Sequence, residues 1–206
     1  MVKGQLFTVS APSGAGKTSL VRQLIQRVRD LQVSVSHTTR PMRPGDAEGV
    51  DYFFVERPEF ERMIEAGEFL EYASVFGNYY GTSRASVEQN LAEGRDILLE
   101  IDWQGAAQVK QKLPDTCSIF ILPPSRETLI QRLQGRGQDS EEVIARRTAE
   151  AVAEMRHYDA ADYLLINDQF DVAVHEFVSL IESRRLTVAR QQVKHRDLID
   201  SLLAER

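Results

Sequence analysis

Residues 5–10 form a short run carrying Leu6, Phe7 and Val9, and from Lys17 onward the apolar positions are Leu20, Val21, Leu24, Ile25 and Val28, the three- and four-residue spacing of one helix face. The first segment predicts a strand and the second a helix reaching about residue 30, with a glycine-rich turn between them. Short apolar runs recur at 96–101, 118–122 and 163–166, each followed by a segment compatible with a helix. Runs this short and continuous suit strands buried on both faces, so the pattern predicts an α/β core in which helices cover a parallel sheet.

Residues 33–83 break that rhythm. Strand-like stretches at 33–39, 52–56 and 69–76 surround one short helix near 58–66 and read as an inserted, mostly β subdomain. A second insertion, 124–157, spreads Arg126, Arg132, Arg136, Arg146, Arg147 and Arg156 over two helical segments, joined by a glycine-flanked corner at Gly135-Arg136-Gly137. Residues 171–206 are amphipathic and highly charged and read as one or two closing helices without chemistry of their own. The core would then comprise about 4–32, 84–123 and 158–206 of a single domain, the size expected of one core with small insertions at 206 residues and 42% hydrophobic content.

Composition narrows the partners. A net charge of −6, from 25 Lys and Arg against 31 Asp and Glu, argues against bulk nucleic-acid binding, so any phosphate site must be built locally. The single cysteine, Cys117, excludes an intramolecular disulfide and reads as core packing. No stretch approaches the roughly 18 apolar residues of a membrane span, and the N-terminus lacks a signal-peptide core. A soluble cytoplasmic protein is expected, with neither nucleic acid nor membrane as partner.

The turn after the first strand reads Ala11-Pro12-Ser13-Gly14-Ala15-Gly16-Lys17-Thr18. Strand, glycine-rich loop and helix start together supply what the polyphosphate of ATP needs: backbone N–H groups, a helix N-terminus, a cation in Lys17 and a hydroxyl for Mg²⁺ in Thr18. Ala11 stands where the usual pattern has its first glycine, which requires this corner to keep a negative φ. Such a loop defines only a donor site, shared by GTPases, motors and small-molecule kinases.

The acceptor must be read elsewhere. Arg40 and Arg43 lie three apart between Pro41 and Pro44, a stiffened pair of guanidinium forks suited to a phosphate monoester. Tyr52 and Tyr80 offer phenolic donors to the same phosphate, while Tyr79 reads as core. From residues 36–45, 78–83, 100–105 and 135–137, in that order, the chain resembles the guanylate kinase family over about residues 4–168. The resemblance implies a P-loop nucleoside monophosphate kinase fold: a parallel core sheet, a GMP-binding insertion at 33–83 and a helical lid at 124–157. It places Arg40, Arg43, Tyr52 and Tyr80 around the GMP phosphate and Ser36, Glu71 and Thr82 around the guanine. Chemistry supports the base assignment, since a carboxylate accepts both guanine N1–H and the 2-amino group while a hydroxyl of Ser36 or Thr82 donates to O6. Adenine would set its bare N1 against Glu71.

Glu100 and Asp102, two apart at a strand end, project to one side of the carboxyl edge of the sheet. Asp102 is expected on the Mg²⁺ side and Glu100 at the guanine amino group or its water, with a solvated strand end as the alternative for Glu100. The resemblance implies that Arg136 and Arg147 reach the transferring phosphate with Lys17. Arg132 and Arg146 are read as a solvated helix face, Asn167 and Asp168 as framing the adenine, and the four histidines as structural. Two rival readings are weaker. Asp102 to Gly105 spells the D-x-x-G of a signalling GTPase, but no N-K-x-D follows; a peptide-binding relative would typically lose the donor-loop residues that are present here.

Overall fold

Phe7 and Val9 of β1 (Leu6–Ser10) pack against Leu20, Val21 and Leu24 of α1 (Lys17–Arg27), the helix that follows across the glycine-rich turn. The computed structural model describes residues 2–75, 77–135 and 141–204. After α1 come β2 (Leu31–Val33), β3 (Ser36–Thr38), β4 (Tyr52–Phe54), α2 (Arg57–Glu65), β5 (Phe69–Val75), β6 (Asn78–Ser83) and α3 (Arg84–Ala92). The chain continues through β7 (Asp96–Glu100), α4 (Trp103–Lys112), β8 (Cys117–Leu122), α5 (Arg126–Gln134) and α6 (Glu141–Met155). A 3₁₀ turn at Tyr158–Ala160 leads to β9 (Tyr163–Ile166), α7 (Phe170–Arg185), α8 (Val188–Lys194) and α9 (Arg196–Leu203).

Five strands form an all-parallel sheet in the order β2-β7-β1-β8-β9. Alternation along each strand assigns its side chains to two layers. Phe7, Val9, Leu98, Cys117, Ile119 and Ile121 face α1 and α7, where Ala173, Val174, Phe177, Leu180 and Ile181 complete the larger core. Leu6, Ile97, Leu99 and Ile101 face α3 and α4, meeting Val87, Leu91 and Val109. Cys117 is packing, and burial pushes its thiol up to about 11.

A second sheet, ordered β4-β3-β6-β5, stands outside this core, with β3 parallel to β4 and antiparallel to β6. Phe60 and Met63 of α2 cover it, Phe60 stacking on Phe69 at 4.5 Å and on Tyr79 at 5.2 Å. The single strand expected at 33–39 is two strands in different sheets. β2 pairs with β7 in the core, and after Ser34 donates to Leu98 O the chain crosses to pair β3 with β6. Local apolar spacing carries no information about such a change of partner. The closing segment holds α7, α8 and α9, one helix more than the sequence pattern suggested.

Leu129 and Leu133 of α5 pack on Ala151 and Met155 of α6, a small core of their own. Among the described residues no helix is long and apolar enough to cross a membrane.

Candidate active site

β1 ends at Ser10, and the loop from Ala11 to Gly16 turns the chain into α1 through two glycines with positive φ, Gly14 at 87° and Gly16 at 92°. Among the described residues Asp30 is the one non-glycine with positive φ, so Ala11 meets its own steric requirement. The loop is held from behind. Asn167, at the end of β9, donates from Nδ2 to Ala15 O at 2.7 Å, and Arg132 of α5 bridges Ala15 O at 3.4 Å and Asn167 O at 3.1 Å. A Cβ on Gly16 would lie 2.4 Å from Asn167 Nδ2. Arg132 is therefore no solvated face residue, whereas Arg146 is 67% exposed beside Glu150. Periodicity could not distinguish the two, because the partners of Arg132, Ala15 and Asn167, lie 117 and 35 residues away in the chain.

Thr18 is exposed at the start of α1. Burial pulls the Lys17 ammonium below its ordinary pKa, opposed by the carboxylates of Glu100, Asp102 and Glu154. Glu154, on α6, was invisible to motif reading; burial raises its pKa against the pull of the Ser13 backbone and Lys17. From the same helix Arg147 donates to Ser13 Oγ at 3.2 Å. Arg136 lies outside the described residues.

Lys17, Ser36, Tyr52, Glu71, Tyr80, Glu100 and Asp102 line one cavity of about 170 Å³, with Ala73, Val75 and Ile101 completing its wall. Five strands, β3 to β7, and the start of α1 thus converge on it. Glu71 is buried, accepts a 2.5 Å hydrogen bond from Thr82 Oγ1, and has its pKa pushed up to about 7, chiefly by burial and further by Asp102. Thr82 Oγ1 in turn stands 3.4 Å from Ser36 Oγ. Burial also raises the Tyr52 phenol, which keeps it a donor, and its ring lies 5.7 Å from that of Tyr80.

Arg40 and Arg43 are not in the cavity wall. Arg40 is buried one ring away, its guanidinium 5.3 Å from the Tyr52 ring, pairing with Asp46 at 2.9 Å and donating to Pro41 O. The exposed Arg43 donates its backbone N–H to the same Asp46 carboxylate at 2.7 Å. Asp46, unremarked in the sequence, is the carboxylate that these arginines hold. His37 rests among Phe53 and Phe69, and His157 stacks on Trp103 at 3.5 Å, joining the end of α6 to α4.

Asp102 caps α4, its Oδ1 accepting from Gly105 N at 2.7 Å. Among the described residues no group of three or more His, Cys, Asp or Glu forms a metal cage. Thr18 and Asp102 are hard oxygen donors at two helix starts, the sparse protein set that Mg²⁺ accepts when phosphate oxygens and water fill its shell.

A family model described as guanylate kinase matches residues 3–184. The chain is 58% identical to guanylate kinase of Escherichia coli strain K12 and 57% identical to that of Salmonella typhimurium strain LT2, in each case over all of both proteins. Among solved structures, guanylate kinase from Anaplasma phagocytophilum superposes with a TM-score of 0.79 at 33% identity, covering 100% of this chain and 98% of the other.

Proposed function

The chain belongs to the guanylate kinase family, and from that premise we propose that the cavity shared by Lys17 and Glu71 is where its two nucleotides meet. The protein is an ATP-dependent nucleoside monophosphate kinase that moves the γ-phosphate of ATP to GMP, giving ADP and GDP. The observation that supports this siting is that a donor-loop lysine and a buried, hydroxyl-bonded carboxylate line the same cavity.

In this reading Ala11, Pro12, Ser13, Gly14, Ala15, Gly16, Lys17 and Thr18 hold ATP, its phosphates wrapped by the loop. Arg40, Arg43, Tyr52 and Tyr80 hold the GMP phosphate, the arginines exchanging Asp46 for it. Glu71 accepts from guanine N1–H and the 2-amino group, Thr82 and Ser36 serve O6, and Glu100 serves the amino edge. Thr18 and Asp102 would hold Mg²⁺, which would supply charge neutralisation to the polyphosphate. The insertion at 33–83 is the GMP-binding part and 124–157 the lid.

The nucleophile is a GMP phosphate oxygen, already anionic near neutral pH, so no strong base is required. Its electron pair forms the new P–O bond to the γ-phosphorus as the bond to the β-bridging oxygen breaks and ADP takes that pair. Catalysis then consists of in-line positioning and of cations set between two polyanions. Lys17 provides this from the donor side, and Arg147 with Arg136 from the lid, whose closure excludes water as an acceptor. The phosphate and base contacts assigned above do not involve the ribose 2′-hydroxyl, so dGMP is expected to be accepted as well. We place the reaction in the cytoplasm, where both nucleotides are available.

The test is ADP formation with Mg-ATP and each of GMP, dGMP, AMP, CMP and UMP. Turnover with GMP and dGMP alone is expected; turnover with AMP at a comparable rate would overturn the assignment of Glu71 to the base.

A further inference from the structure

β5 is the outer strand of the second sheet, and its free edge faces α4. Its pairing with β6 slips between Phe69↔Ser83 and Glu71↔Thr82, so Leu70 is an extra residue, a β-bulge immediately before Glu71. Bulges re-aim the side chains that follow them and leave main-chain groups without ladder partners. Here those groups are taken up by α4. Lys112 Nζ donates to Leu70 O at 2.6 Å and reaches Phe69 O at 3.5 Å. Gln108 binds both edge groups of Tyr72, accepting from its N–H at 3.2 Å and donating to its carbonyl at 2.9 Å, as a neighbouring strand would.

The two contacts flank Glu71, and the third member of the set faces Glu71 itself. Gly105, Gln108 and Lys112 are spaced three and four apart and so form one stripe along α4. A Cβ on Gly105 would stand 2.7 Å from Glu71 Oε2, so only glycine leaves room for that carboxylate. The stripe begins one turn from Asp102, whose Oδ1 accepts from Gly105 N.

We propose that Gln108 and Lys112 are positioning residues that determine guanine specificity: by clamping β5 on either side of Glu71 to a helix of the core, they fix the base-reading carboxylate relative to Asp102. Both roles rest on the assignment of Glu71 to guanine. Neither side chain touches the substrate. The clamp also ties the edge of the acceptor sheet to the element that carries Asp102, so base recognition and metal-side geometry share one rigid rod.

Lys112→Met keeps the aliphatic stem and removes the ammonium, and Gln108→Leu removes the paired amide. Each is expected to raise KM for GMP about tenfold, the scale of one lost charge-assisted or paired hydrogen bond, with kcat and KM for ATP changed less than about twofold. Preference for GMP over IMP, which lacks the 2-amino group, falls in parallel. Lys112→Arg restores both, and thermal melts establish that every variant is folded. The deciding measurement is the same substitution in a Glu71→Ala background, where the effect on KM for GMP is expected to vanish. Full additivity with Glu71→Ala, or equal losses in KM for GMP and ATP, would reduce the clamp to general stability and overturn it. If Glu71→Ala alone leaves KM for GMP and the GMP/IMP ratio unchanged, the base-site assignment itself is wrong.

Discussion

At Glu71 burial and function pull in opposite directions. In the proposed site guanine recognition needs the carboxylate, yet burial holds the pKa near 7 rather than the ordinary 4.5. Because the folded state binds this proton more tightly than the unfolded state, its contribution to stability is fully present below about pH 4.5 and is lost as the pH rises through about 7. The gap corresponds to at most about 3 kcal/mol. Glu71→Gln, a neutral mimic of the protonated form, is therefore expected to be more stable than the parent at pH 8 and to lose that advantage towards pH 5. Denaturant titrations at the two pH values check this, and an equal gap at both would refute it. Over the same range KM for GMP should fall with rising pH in the parent while KM for ATP does not. Glu71 was legible as a candidate through the family resemblance and the chemistry of guanine. Its shifted pKa was not, since it depends on burial against Thr82 and Asp102, which only the assembled sheets bring together.

Among the elements, the phosphate loop was the most legible because all that forms it is local: the β1 run, two glycines, and apolar spacing in α1. What holds it was not legible, since Asn167 and Arg132 come from β9 and α5. The same division explains the strand expected at 33–39, which is shared between two sheets, and β6, whose Asn-Tyr-Tyr-Gly-Thr-Ser lacks apolar alternation and is a strand because β3 and β5 pair with it. Asn167→Ala removes the donor to the buried Ala15 carbonyl. Such a loss costs about 1–3 kcal/mol, so KM for ATP is expected to rise about tenfold while KM for GMP is nearly unchanged. Initial-rate kinetics with each nucleotide varied in turn distinguish this from the reverse pattern expected at Gln108 and Lys112.

At the scale of the whole molecule, the apolar interior is divided. The two clusters flanking the parallel sheet are separate from the one formed by Phe60, Met63 and Phe69 under the second sheet. The donor loop depends on the first pair, and the residues assigned to the base on the third, with Leu70 of β5 anchored in the second. Elements with separate cores can open separately, at free energies below that of global unfolding. Phe60 is fully buried, stacked between Phe69 and Tyr79, and packed so closely on the β6 backbone that a Cβ on Gly81 would meet its ring at 3.0 Å. Phe60→Ala is expected to cost about 3–5 kcal/mol, and the cost falls on the second sheet. The variant should lose GMP-dependent turnover yet still bind a fluorescent ATP analogue. Hydrogen exchange should show protection lost in β3, β5 and β6 and kept in β1, β7 and β8. Simultaneous loss of protection in both sheets would instead mean that the α4 contacts to β5 fuse the molecule into one cooperative unit, in which the acceptor site could not open without the donor site.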